Sequence, residues 1–107
     1  MQTKPKAFGL LATLLLSLTL VWTSPAAAQP PYAKWGQIAV QQTMKKYPHA
    51  QIVDYLHVGR KQKTPTTSEE TFKLLLREGN REWALFVHIE FETKTEKVLA
   101  IRYEETG

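Results

Sequence analysis

The strongest constraint on this chain is an alternation that survives a turn. Phe72, Leu74 and Leu76 occupy every second position before Gly79-Asn80, and Trp83, Leu85, Val87, Ile89 and Phe91 do so after it. A period of two belongs to a strand with one buried face, and a Gly-Asn pair between two such runs predicts a tight hairpin. If Glu78 faces Arg81, then Leu76 meets Trp83, Leu74 meets Leu85 and Phe72 meets Val87, all on one side. On the other side Arg77 meets Glu82, Leu75 meets Ala84, Lys73 meets Phe86 and Thr71 meets His88. A slip by one residue would turn the whole apolar set outward, so the register is fixed.

A helix must cover that apolar face, and Lys34 to Tyr47 supplies it. At 100° per residue, Trp35, Gly36, Ala39, Val40, Thr43, Met44 and Tyr47 share half of the wheel; the polar residues share the other half, and Ile38 is the exception. Lys45 and Lys46 suit the negative end of the helix dipole. Pro48 disfavours helical angles at Tyr47 and cannot continue the hydrogen-bond ladder. Gln51 to Val58 is rich in β-branched and aromatic residues and reads as a first strand. Gly59 to Glu69 reads as a loop, Glu70–Glu78 and Arg81–Glu92 as strands two and three, Thr93–Thr95 as a turn, and Glu96–Glu104 as strand four. Placing Leu99, Ile101 and Tyr103 against Ile89, Val87 and Leu85 fills the core best. A one-residue slip, with Val98 and Ala100 inside, stays open, as does the facing of the first strand. The expectation is an α+β fold, one N-terminal helix on a four-stranded antiparallel meander.

The front of the chain reads as an export address. Two lysines precede an apolar run from Ala7 to Trp22, Thr23-Ser24-Pro25 breaks it, and Ala26-Ala27-Ala28 offers small residues for cleavage. The expected organisation is a signal peptide at 1–28 cut after Ala28, a lead-in at 29–33 and one domain at 34–107. The product would be secreted or cell-wall associated, with no membrane attachment after cleavage. The formal charge of +4 includes Lys4 and Lys6, so the remaining chain carries about +2. That is a poor match to a nucleic-acid partner, which wants a concentrated basic stripe. The absence of cysteine from the sequence removes disulfides, zinc–thiolate sites and cysteine nucleophiles.

Catalytic and metal chemistry finds little to stand on. His88 faces outward in the hairpin register, and His57 would join it if Val53 and Tyr55 face outward, but two strands apart means roughly 10 Å between them. Zinc ligands share bonds of about 2 Å. Glu90 and Glu92 read as solvated strand charges rather than an acid–base pair. Asp54 gains interest only if it faces inward, where it would need a partner; an enzyme would need a pocket of Asp54, Tyr55 and His57. No metal, cofactor or catalytic set is expected, and the chain reads as a non-enzymatic binding module.

Two surfaces carry the expected contacts. The outer sheet face would present Leu75, Phe86 and Val98, interrupted by Lys73 and His88, and would meet a protein, a peptide or a second copy of the chain. The other is a basic cluster of Arg60, Lys61 and Lys63 in the loop, joined by Lys94 from the turn after strand three. It would suit an anionic cell-wall polymer, although Glu69, Glu70, Glu92 and Glu96 dilute it.

The runs KWGQIAVQQTMKKYPHAQIVDYLHVGR, FKLLLREGNREWALFVHIEF and TEKVLAIRYEE resemble the YqzG/YhdC family, small exported proteins of Bacillus and relatives defined by a domain of unknown function. Its most specific part is Y-P-x-A-x-[IV]-x-D-Y at Tyr47–Tyr55, ending in Gly59-Arg60. The helix followed by Y-P-x-A and strands is also similar to PepSY/cystatin-like small domains, which implies, by analogy, a regulator or inhibitor of a secreted peptidase. The resemblance implies a Gram-positive, extracytoplasmic setting and supplies no catalytic residues.

Overall fold

A computed structural model describes residues 29–107; the expected signal peptide at 1–28 lies outside the described residues. Helix α1 spans Ala33–Lys46. Strands β1 (Gln51–Gln62), β2 (Thr67–Glu78), β3 (Arg81–Glu92) and β4 (Val98–Thr106) follow and pair in chain order as an antiparallel meander. This is the expected α+β architecture.

Helix α1 buries Trp35, Gly36, Ala39 and Thr43, the stripe its periodicity requires. It begins where the Tyr32 carbonyl accepts the Trp35 and Gly36 amides and ends where the Tyr47 amide reaches the Thr43 carbonyl at 2.8 Å, one residue before Pro48. The β2–β3 hairpin has the expected register at every pair from Thr71↔His88 to Glu78↔Arg81. Its inner face, Phe72, Leu74, Leu76, Trp83, Leu85, Val87, Ile89 and Phe91, forms the core with Trp35 and Ala39. Trp35 stacks on Phe91 with ring centroids 4.0 Å apart. The indole nitrogens of Trp35 and Trp83 and the Thr43 hydroxyl are buried without a hydrogen-bond partner among the described residues.

Bulges set the facing of the first strand, which the sequence left open, and correct two expectations about the fourth. In β1 the pairing skips Val53 and again Val58. Each extra residue reverses the side on which the next ones project. Ile52, then Tyr55 and His57, then Arg60 therefore share the helix side, while Asp54, Leu56 and Lys61 share the other. Tyr55 and His57 do not face outward. In β4 Leu99 is the extra residue, so Ile101 pairs with Ile89 and Tyr103 with Val87. The expected face is right for both, but the register is two residues off, and Leu99 is 49% exposed. Val98 stands opposite Phe91 on the helix side, not on the outer face.

The expected loop at 59–69 is also mostly strand. Arg60↔Glu70, Lys61↔Glu69 and Gln62↔Ser68 are ladder pairs, which leaves only Lys63–Thr66 to turn the chain. There the Thr64 hydroxyl oxygen accepts the amides of Thr66 and Thr67, a local substitute for ladder bonds. The β3–β4 turn is longer than Thr93–Thr95, because β4 begins at Val98.

Candidate functional site

Side chains on the face away from α1 fall into rows set by the registers. Lys61, Glu69, Glu90 and Ala100 form one row, and Gly59, Thr71, His88 and Arg102 the next. Leu56, Lys73, Phe86 and Glu104 follow, then Asp54, Leu75, Ala84 and Thr106. In the second row glycine leaves a gap where its neighbours carry side chains. The result is a shallow hollow of about 460 Å³ bordered by Val58, Lys61, Phe86, Arg102 and Glu104, with Thr71, His88 and Glu69 beneath it.

Electrostatics at the hollow centre on Glu69, whose side chain is only 2% exposed. Arg102 Nη1 donates to it at 3.1 Å, Lys63 Nζ lies 3.5 Å away, Lys61 Nζ 4.0 Å and His88 Nδ1 3.7 Å. Burial alone would push its pKa up, but the Arg102 hydrogen bond and the charges of Lys63, Arg102 and His88 together hold it below the ordinary carboxylate value. His88 also lies 3.0 Å from the Thr71 hydroxyl and 3.3 Å from Glu104. Phe86 is half-buried beside it, with Lys73 Nζ 5.9 Å from the ring centre. Leu56, 58% exposed, shares the Phe86 row.

A second cluster sits on the helix side, one residue further along β2. Glu70 is as buried as Glu69; His57 Nε2 lies 2.6 Å from one oxygen and Arg60 Nε donates to the other. The His57 ring stacks on Tyr32 at 3.9 Å and 10°, and Arg60 lies over Phe91. A carboxylate that fixes an imidazole resembles half of a hydrolytic set, but the hydroxyl that would complete it is not among the contacts of His57. Tyr32 meets it face to face through the rings.

The expected site residues therefore separate. Leu75, Phe86 and His88 share the outer face, joined by Lys61; Lys63 reaches the same buried carboxylate. Val98 belongs to the helix side, and Arg60 turns its guanidinium to Glu70 there although it also lines the rim of the outer hollow. Lys94 sits on the exposed β3–β4 turn at the Lys63 end of the sheet, where the Thr93 amide donates to the Thr66 carbonyl. The residues of a hypothetical Asp54–Tyr55–His57 pocket are split between faces, and Asp54 accepts its neighbour's amide. His57 and His88 lie on opposite faces. Among the described residues no cluster of histidine and carboxylate side chains is arranged to hold a metal. Glu69, Glu70 and Arg102 were missed as site residues. A signal for the first two existed: Arg60-Lys61 and Glu69-Glu70 lie symmetrically about the short turn, as cross-strand ion pairs do.

The family model described as a protein of unknown function (DUF3889) matches residues 11–105. The chain is 34% identical over 93 residues to the uncharacterized protein YqzG of Bacillus subtilis (strain 168), covering 79% of this chain and 84% of that protein. Its fold is similar to an NMR structure of a protein from Bacillus subtilis, with a TM-score of 0.63 and 28% identity over 78% of this chain and 92% of that one. The PepSY-type likeness stays on the Tyr47–Ala50 motif and the topology. With a match from the first apolar run to the last strand, the chain belongs to the DUF3889 family of proteins of unknown function.

Proposed function

We propose that this is a non-enzymatic binding module that works outside the cytoplasm and contacts a protein or peptide through the outer sheet face. The observation that carries this reading is the patch of Leu75, Ala84 and Phe86, with Leu56 across Lys73 from Phe86, edged by Asp54, His88 and Glu104 and left uncovered by α1. An apolar centre with a polar rim is the anatomy of a protein interface, and the shallow hollow beside Phe86 adds a concave edge to it. The basic residues suit an anionic polymer less well, because Lys61, Lys63 and Arg102 converge on Glu69 and Arg60 on Glu70.

The test is capture from culture medium and cell-wall extract by the immobilised 29–107 chain and by its Phe86→Glu variant. Every core residue and strand pair among the described residues lies within that span. Binding lost in the variant while its thermal unfolding is unchanged supports the reading, and equal capture by both removes it. High salt separates the modes, since polymer binding through Lys61, Lys63 and Lys94 is screened and apolar contact is not.

A further inference from the structure

The two edges of the sheet are built differently. Strand β1 is interrupted by bulges at Val53 and Val58 and carries Arg60 and Lys61 at its far end. Bulges and cationic side chains are the standard protection of an exposed edge. Strand β4 has one bulge at Leu99, and from Ala100 to Thr106 it pairs with β3 residue for residue. Over those seven residues it has no proline and no second bulge, its one cation, Arg102, is drawn over the sheet face to Glu69, and among the described residues no strand pairs with its outer side. One edge is blunted and the other is left regular.

The charges along β4 say what fits it. Arg102 and Glu104 flank Tyr103 on the outer face. A second copy laid antiparallel, with the two-fold axis through Tyr103, sets Arg102 opposite the other copy's Glu104, and Glu104 opposite its Arg102. The same register sets Ala100 against Thr106 and Ile101 against Glu105, which is already held by Tyr47 and Arg81. Moving the axis to Arg102 would oppose two guanidiniums. We infer that β4 is a homodimerisation edge, at which two copies join into one eight-stranded sheet through the self-complementary Arg102-Tyr103-Glu104 segment. The joint is isologous and closes on itself; Arg102 and Glu104 also border the Phe86 hollow, but the pairing itself uses the backbone edge of β4 and not the Phe86 ring.

Edge pairing of this length buries little area, so the dimer is expected to be weak and to form only at high concentration. Sedimentation of the 29–107 chain across a concentration series should show the mass doubling. Arg102→Glu makes the segment wholly acidic and Glu104→Arg makes it wholly basic, so each variant alone should dimerise about tenfold more weakly. Mixed together they should form a heterodimer at least as readily as the original chain, since both cross-pairs are then opposite in charge. Because Arg102 also holds Glu69, each variant's fold is checked by its circular dichroism. Hydrogen exchange on the unaltered chain gives a reading free of substitution: the β4 amides that point away from β3 should become protected as concentration rises. A chain that stays monomeric throughout, or a dimer indifferent to both charge changes and to their mixture, overturns the inference.

Discussion

Glu69 and Glu70 are adjacent, equally buried and on opposite faces of one strand, and the sheet treats them differently. Glu70, under the helix, has two partners that are themselves packed: His57 against Tyr32 and Arg60 over Phe91. Glu69, on the open face, is shielded by four groups, Arg102 and Lys61 reaching it from solvent at 59% and 67% exposure and Lys63 and His88 lying closer in at 31% and 15%. The inner face is committed to one arrangement by its neighbours. The outer face keeps its carboxylate ionised with groups that can move away, which suits a surface that must accept another molecule.

The sharpest way to break that contrast is truncation on each side. Trp35→Ala removes a fully buried ring stacked on Phe91 and should cost about 3–5 kcal/mol in denaturant unfolding. Phe86→Ala, at a half-buried position, should cost less than about 1.5 kcal/mol. Equal losses would mean that the outer ring is structural and the proposed contact surface is part of the fold.

Next in size is the glutamate pair itself. Glu70→Ala strands the part-buried His57 and removes the partner of Arg60, which is exposed at its edge but packed over Phe91, and should cost about 2–3 kcal/mol. Glu69→Ala leaves Arg102 and Lys61 free to be solvated and Lys63 and His88 only partly so, and a smaller loss of about 1–2 kcal/mol is expected. A larger loss from Glu69→Ala in urea titrations would reverse the assignment of rigid and open faces.

How far the sequence discloses these faces depends on periodicity. Where it is unbroken, as in β2 and β3, the register can be read residue by residue, and Pro48 marks the helix end. In β1 the order Ile52, Val53, Tyr55, Leu56, Val58 fits neither phase, because two bulges change the phase within one strand. Bulges depend on local backbone twist and have no fixed residue signature here. Polar composition misassigned 59–69 for another reason: its charges are ladder partners of each other, and composition does not see pairing. The outer hollow was legible only in part, since Phe86 and His88 follow from the hairpin register while Gly59 and Arg102 depend on the bulged strands.

A smaller effect tests how closely α1 is seated on β1. A methyl group on Gly36 would fall 2.1 Å from the Tyr55 hydroxyl and 2.9 Å from its ring. Alanine gains about 1 kcal/mol over glycine within a helix, yet Gly36→Ala must push aside a ring that stacks on Phe72. The substitution should therefore destabilise the original chain and stabilise a Tyr55→Ala chain. The change of sign, measured as a double-mutant cycle, is the result to look for; the same sign in both backgrounds would place the tyrosine elsewhere.

The smallest effect expected is the acid response of the open face. Because Glu69 titrates below the 4.5 of an unperturbed glutamate, its folded form releases a proton more readily than its unfolded form does. Its contribution to stability is therefore complete above 4.5 and disappears as pH falls through the lowered value. Comparing the pH dependence of unfolding for the original chain and for Glu69→Gln isolates that contribution, since the amide cannot titrate. The two curves should run furthest apart above pH 4.5 and converge below it, and added salt should shrink the gap because Arg102, the first of the stabilising cations, is largely exposed. A gap that persists into strong acid would instead make hydrogen-bond geometry at Glu69, and not its charge, the source of its stabilisation. The outer face would then be as rigidly specified as the one beneath the helix.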